Sequence, residues 1–101
     1  MDWHDARIRW RSPKARGTRA LPPTLRYIGL SRFPKVVDPA EETAWSVECV
    51  FEVPPPEQSD PLISEGRVRF LVEGAPRDWL ESGVTFELYE GAICVADVEV
   101  M

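Results

Sequence analysis

Hydrophobic and polar side chains alternate along much of this chain, including the first part of the stretch between residues 83 and 100. From Val84 to Tyr89 the first of each pair of residues is apolar, the period-two pattern of a strand with one buried face. Gly91 follows where the chain should reverse, because glycine adopts positive φ without a Cβ clash. Residues 92–100 are rich in small and β-branched side chains, so the whole stretch predicts a β-hairpin.

The same alternation predicts four further strands, separated by prolines, glycines and polar clusters. They cover residues 5–11, 25–33, 43–53 and 67–72. In the second of them the two faces are similarly apolar, so its buried face is left open, and Gly29 indicates a bulge or bend. In the last two strands the predicted inward side chains are Trp45, Val47, Cys49, Phe51, Val53, Val68, Phe70 and Val72.

The number of strands and the turn signals between them predict an all-β protein. A chain of 101 residues is long enough for one core, so residues 1–101 are predicted to form a single domain, with long loops at 12–24 and 34–42. Six short strands suit an antiparallel sandwich or barrel. Pro76 at a helix-start position, with Trp79 and Leu80 after it, predicts one short helical turn near residues 76–81, plugging an open end of the sheet.

The C-terminal stretch also resembles the C-terminal β-barrel domain of elongation factor Tu. In that family a glycine, a spaced phenylalanine and a short Arg-Glu-Gly segment precede a valine-rich last strand. Tyr89 stands where that arginine usually lies, and residues 92, 96 and 98 are alanine or valine where glycines are common. The segment that carries the likeness is Gly83-Val84-Thr85-Phe86-Glu87-Leu88-Tyr89-Glu90-Gly91.

The resemblance implies a six-stranded antiparallel barrel. In the full factor this domain helps to hold tRNA and the exchange factor beside a GTP-binding domain. The present sequence contains no Gly-x-x-x-x-Gly-Lys-Ser/Thr segment, so nucleotide binding by a P-loop is not expected. Because one fold hosts many tasks, the resemblance predicts the fold and not translation-factor activity.

Charge is divided unevenly along the chain. The net charge is −5, but residues 1–35 hold nine Lys/Arg against two Asp, whereas residues 36–101 hold three Lys/Arg against fifteen Asp/Glu. One strand face and the loop after it form a basic group that could bind RNA phosphates, with Trp3 or Trp10 available for stacking. The alternative is cross-strand pairing with Glu87, Asp97 or Glu99. The basic group consists of Arg7, Arg9, Arg11, Lys14, Arg16 and Arg19.

The residue types that catalysis needs are scarce. His4 is the only histidine and lies near a terminus, so neither a catalytic base nor a metal site with Asp2 and Asp5 is expected. Cys49 and Cys94 lack Cys-x-x-Cys spacing and are predicted to be buried thiols. We therefore expect no enzymatic activity, cofactor or metal. The carboxylates that could act as acid and base fall at outward or turn positions, namely Glu87, Glu90, Asp97 and Glu99.

Three functional hypotheses follow from this pattern. No apolar run reaches the roughly 20 residues that span a bilayer, and no signal-peptide pattern follows Met1, which predicts a cytoplasmic protein with no membrane partner. The first hypothesis is a small non-catalytic module that binds another protein, with Trp3 and Tyr89 as candidates for exposure. The second is an RNA-binding module that uses the basic group. The third is an immunity- or antitoxin-type inhibitor, in which an acidic face meets a basic partner. That face would contain Glu41, Glu42, Glu48 and Glu52.

Overall fold

The structure is a computed structural model that describes residues 3–17, 20–36, 44–60 and 62–101. Its strands close into an antiparallel barrel with the ring order β1-β4-β3-β2-β5-β6, which confirms the predicted six-stranded fold. The ring closes because β1 pairs with both β4 and β6. The strands are β1 (His4–Trp10), β2 (Arg26–Arg32), β3 (Trp45–Val50), β4 (Ile63–Phe70), β5 (Thr85–Glu90) and β6 (Ile93–Val100).

One face of each strand fills the barrel. The predicted inward aromatic side chains of Phe51, Phe70 and Phe86 are buried, and Trp45 packs against the same core. This burial removes apolar surface from water and is the main stabilising contribution to the fold. Around these rings lie the aliphatic residues Ala6, Ile8, Val47, Val68, Leu88, Val95, Ala96, Val98 and Val100.

The ring order separates two pairs of consecutive strands. Two strands lie between β1 and β2 in either direction around the ring, and the same is true of β4 and β5. The connection from β1 to β2 therefore crosses one end of the barrel, and the connection from β4 to β5 crosses the other. This crossing explains why the predicted loop at 12–24 is long. Of the predicted loop at 34–42, residues 37–42 lie outside the described residues.

Aromatic rings fill the end that the second connection crosses. Phe33 is fully buried, and its ring centroid lies 4.7 Å from that of Phe86, 5.2 Å from that of Trp79 and 5.9 Å from that of Phe70. Trp79 belongs to a 3-10 turn at Arg77–Trp79, so the predicted plug near residues 76–81 is confirmed. A second 3-10 turn lies at Pro55–Glu57.

The other end is closed by the β1–β2 connection. Pro22 is buried and Leu21 packs against the core, so this part of the loop contributes to the barrel interior. Trp10 stacks edge-on against Tyr27, with centroids 5.8 Å apart. Its Nε1–H donates a buried hydrogen bond of 2.8 Å to Ser64 Oγ. Trp10 is therefore a core residue and not a base-stacking platform.

Two strand boundaries differ from the prediction. Val53 and Val72 were expected to point inward, but they lie beyond the ends of β3 and β4 and are 44% and 46% exposed. β3 stops early because three prolines follow Val53 and cannot donate to a ladder. β4 begins earlier than predicted. The sequence pattern misses its first part because two inward positions are Ser64 and Gly66, which interrupt the apolar alternation.

Gly66 of β4 lies close to the backbone at the end of β3. A Cβ at this position would overlap the carbonyl oxygen of Val50 and lie 2.8 Å from a ring carbon of Phe51. We therefore expect Gly66→Ala to lower the free energy of unfolding by about 1–3 kcal/mol, the usual cost of overpacking. Urea denaturation followed by tryptophan fluorescence measures it. The matched control is Gly74→Ala, where the added methyl meets no atom within 4 Å and should change stability by less than about 0.5 kcal/mol.

Candidate binding surface

The basic row on β1 is set between two strands that carry carboxylates. Arg7 lies opposite Glu65 of β4 and Glu99 of β6, and its Nη2 is 3.6 Å from a Glu65 carboxylate oxygen. Arg9 lies opposite Asp97 in the register with β6. The first and last strands are therefore neighbours, as the cross-strand pairing alternative required.

Arg11, just beyond β1, is the most tightly paired member of the row. Its Nη2–H donates a 2.8 Å hydrogen bond to Asp97 Oδ1, and the same nitrogen is 3.6 Å from a Glu87 oxygen. Nε also lies 2.8 Å from Asp97 Oδ2, but its hydrogen is not aligned with that oxygen. The hydrogen bond to Asp97 raises the pKa of Arg11. Arg11 is therefore committed to neighbouring strands and has little freedom to bind phosphate.

A thiol lies beside this ion pair. The ligand atoms of Glu87, Cys94 and Asp97 all fall within 4.8 Å of one another, a spacing that a metal ion could bridge. Arg11 already places a cationic group within 3.6 Å of both carboxylates. Burial is the largest cause that raises the pKa of Cys94, so the thiol stays protonated near neutral pH. Because a nucleophile or metal ligand must be the thiolate, this cluster favours an ion pair over catalysis.

The loop members of the predicted basic group do not share one surface. Lys14 is exposed, whereas Arg16 is only 6% exposed, contrary to the expectation of a solvent-facing phosphate contact. Its Nε and Nη1 are buried and have no hydrogen-bond partner within the described part of the chain. The loop buries Arg16 because it crosses the barrel end. Arg19 lies outside the described residues.

A different set of arginines gathers on the outer side of β2, β3 and β4. We call this surface the arginine face. The adjacent strands bring together side chains that are far apart in sequence, since Arg67 and Arg26 both lie opposite Val50 of β3. Its members are Arg26, Ile28, Leu30, Arg32, Glu48, Arg67 and Arg69, with Trp3 lying against it.

Glu48 is the centre of the arginine face. It is buried on the outer side of β3, where it accepts hydrogen bonds from Arg26 Nε and, at 2.8 Å, from Arg69 Nε. The hydrogen bond from Arg26 is the largest cause that lowers the pKa of Glu48, and burial opposes it. One carboxylate therefore joins three strands and holds two guanidinium groups in place.

This position removes Glu48 from the acidic face that the inhibitor hypothesis required. Its charge is covered by two arginines and is not offered to a basic partner. Glu52 is exposed, but Glu41 and Glu42 lie outside the described residues. The described residues thus provide only one exposed member of that face.

Aromatic rings support the other guanidinium groups. Trp3 is half-buried, with Arg69 Cζ 4.3 Å and Arg67 Cζ 5.9 Å from its ring centroid. Arg32 of β2 lies against Tyr89 of the adjacent strand β5. Its Cζ is 5.1 Å from the centroid of the tyrosine ring. Such contacts fix the direction of a long side chain and reduce the entropy it loses on binding.

Two aliphatic side chains are exposed to solvent between the arginines of β2. Ile28 is 46% exposed and Leu30 is 36% exposed, because the inward positions of this strand belong to Tyr27, Gly29 and Ser31. This resolves the buried face that the sequence left open. A Cβ at Gly29 would approach Leu88 Cδ1 to 2.8 Å, so the packed interior leaves no room for a larger inward residue.

Sequence reasoning missed most of this surface. Its signal is the alternation Arg26-x-Ile28-x-Leu30-x-Arg32, together with Arg67-x-Arg69, which places these side chains on one face of each strand. The pairing of β3 with both β2 and β4, which joins the two sets, is not visible in the sequence.

No protein-family model, curated protein or solved structure matches this chain. The resemblance to the elongation factor Tu barrel stays a prediction. Within the described ranges, no helix is long and apolar enough to cross a membrane.

Replacing Glu48 with glutamine tests the centre of the arginine face. Because the pKa of Glu48 is lowered in the folded protein, the ionised carboxylate stabilises the fold above the ordinary carboxyl pKa of 4.5. This stabilisation is lost as pH falls through the lowered pKa of the folded protein. Glu48→Gln should lower the free energy of unfolding by about 1–3 kcal/mol at pH 7. The difference in the free energy of unfolding between Glu48→Gln and the parent protein should disappear as pH falls below 4.5.

Urea titrations at several pH values measure that difference. The matched control is Glu65→Gln, which removes an exposed pair with Arg7 and should cost less than about 1 kcal/mol. A Glu48→Gln difference that stays constant with pH would show that the carboxylate does not carry the interaction.

Arg16 gives a prediction of the opposite sign. Buried donors without partners are destabilising, so Arg16→Met should raise the free energy of unfolding by about 1–3 kcal/mol. Lys14→Met, an exposed change in the same loop, is the control and should have an effect below about 0.5 kcal/mol. A loss of stability in Arg16→Met would mean that the guanidinium is paired in solution.

Proposed function

We propose that this protein is a non-catalytic binding module that engages another protein through the arginine face. The observation that carries the proposal is the placement of exposed Ile28 and Leu30 among arginine, tryptophan and tyrosine side chains on one side of a closed barrel. Interface centres are enriched in aromatic residues and arginine. A few such residues usually provide most of the binding free energy.

The closed ring supports a particular mode of binding. Every strand of the described barrel is paired on both sides, so no strand edge is offered to an incoming peptide. A partner would contact side chains on the outer wall. The wall is rigid because adjacent strands and the Glu48 hydrogen bonds hold it, so little ordering free energy would be lost on association.

The nucleophilic side chains support a non-catalytic role. Burial raises the pKa of Cys49 to about 12, and burial also raises the pKa of Cys94. Both cysteines are free thiols, which is consistent with the reducing cytoplasm that we propose as the setting.

RNA binding is the alternative hypothesis. The basic group that the sequence predicts for it supports RNA binding less well than the arginine face supports protein binding. Arg7 and Arg11 have carboxylate neighbours, and Arg16 is buried. Trp3 with Arg67 and Arg69 could stack on a base, but Ile28 and Leu30 on the same outer wall would face the charged backbone of a nucleic acid.

The proposal is tested by affinity capture from a lysate of the source cells, followed by quantitative mass spectrometry. The double variant Ile28→Ser with Leu30→Ser should lower affinity for the captured protein roughly 30-fold, if each lost side chain contributes about 1 kcal/mol. The control Val53→Ser with Val72→Ser removes two similarly exposed valines beyond the ends of β3 and β4 and should leave capture unchanged.

Circular dichroism must show that both double variants are folded. Capture that is equal for the parent protein and the Ile28/Leu30 variant would contradict the proposal. So would tight binding of single-stranded RNA that falls steeply with salt, without any captured protein.

A further inference from the structure

The arginine face has an excess of positive charge on a chain whose net charge is −5. It holds four arginines, and its single carboxylate, Glu48, is shared by two of them. Glu87 lies opposite Arg32 in the register but is engaged by Arg11. Asp5 lies opposite Arg67 on β1, with no ion pair between them among the described contacts. Among the described carboxylates, an incoming anion would therefore meet little competition.

Most hydrogen-bond donors of these arginines have no partner among the described contacts. Arg26 and Arg69 each contact Glu48 through Nε, which leaves their Nη atoms for a partner. Arg32 and Arg67 contact aromatic rings and have no carboxylate partner in the described residues. A guanidinium with free Nη–H groups binds a carboxylate through two parallel hydrogen bonds, which gives direction as well as strength.

The spacing along β2 constrains what can bind. Arg26 and Arg32 are six residues apart on one strand, hence about 20 Å at about 3.3 Å per residue. Ile28 and Leu30 point outward between them. The surface is therefore an apolar centre with a cationic group at each end.

We propose that the partner presents an acidic segment with an apolar middle, an inference that rests on the protein-binding function proposed above. Its carboxylates would meet Arg26 and Arg32 while its apolar side chains cover Ile28 and Leu30. An extended segment would carry its acidic residues about six positions apart. A helical segment would carry them about 13 positions apart at about 1.5 Å per residue.

Selection from a random peptide library tests this chemistry without knowledge of the partner. The library displays peptides of about 16 residues, long enough for either geometry, and the full chain is the bait. We expect the enriched peptides to combine Asp or Glu with apolar residues. Measured by fluorescence anisotropy at low salt, the best peptide should bind at least about tenfold more tightly than its Glu→Lys counterpart.

Charge reversal gives the decisive comparison. Arg32→Glu with Arg67→Glu changes two arginines that do not hold Glu48, and it should shift the selected peptides toward Lys and Arg. The control Lys14→Glu with Lys35→Glu makes the same change in net charge at exposed positions elsewhere and should leave the preference for acidic peptides intact. Folding of each variant is checked by circular dichroism.

The outcomes separate the two proposals. Enriched peptides with no excess of Asp or Glu, whose binding is lost in the Ile28→Ser, Leu30→Ser variant, would overturn the acidic partner and leave protein binding standing. Peptide binding that is unaffected in that variant would overturn the binding surface itself. Binding of a random single-stranded RNA pool that charge reversal abolishes, with no peptide enrichment, would overturn both.

Discussion

The register of a closed ring decides which charges of this protein neutralise one another. β1 lies between β4 and β6, so Arg7 and Arg11 meet carboxylates that are distant in sequence. β2 lies on the opposite side, where its arginines face β3 and β5. Each exposed pair contributes little to stability, but together the pairs engage Arg7 and Arg11 of the basic row. A separate group of four arginines lies on the arginine face.

The same ring order assigns the barrel ends to structure. Both ends are crossed by long connections whose apolar residues join the core, with Leu21 and Pro22 at one end and Trp79 and Leu80 at the other. Within the described residues, these apolar side chains occupy both ends of the barrel. The outer wall is then the surface on which binding chemistry can be displayed, and Glu48 fixes the most strongly charged part of it.

Local patterns were enough to predict the number of strands, the plug near Trp79 and most of the core, because alternation of side chains is a property of each strand alone. They failed where inward positions are small or polar, as at Gly29 and Ser64. Strand order depends on pairings between distant segments, which one sequence does not reveal. For that reason the predicted basic group differs from the arginine face, and the burial of Arg16 was not foreseen.

Inter-strand nuclear Overhauser effects in isotope-labelled protein test this arrangement most directly. The account predicts contacts between β1 and β6 at the Arg9–Asp97 position, and between β1 and β4 at Arg7–Glu65. It also predicts that Leu30 of β2 contacts Tyr89 of β5. Contacts between β1 and β2 as adjacent antiparallel strands would contradict the ring order, and with it the separation of the basic row on β1 from the arginine face.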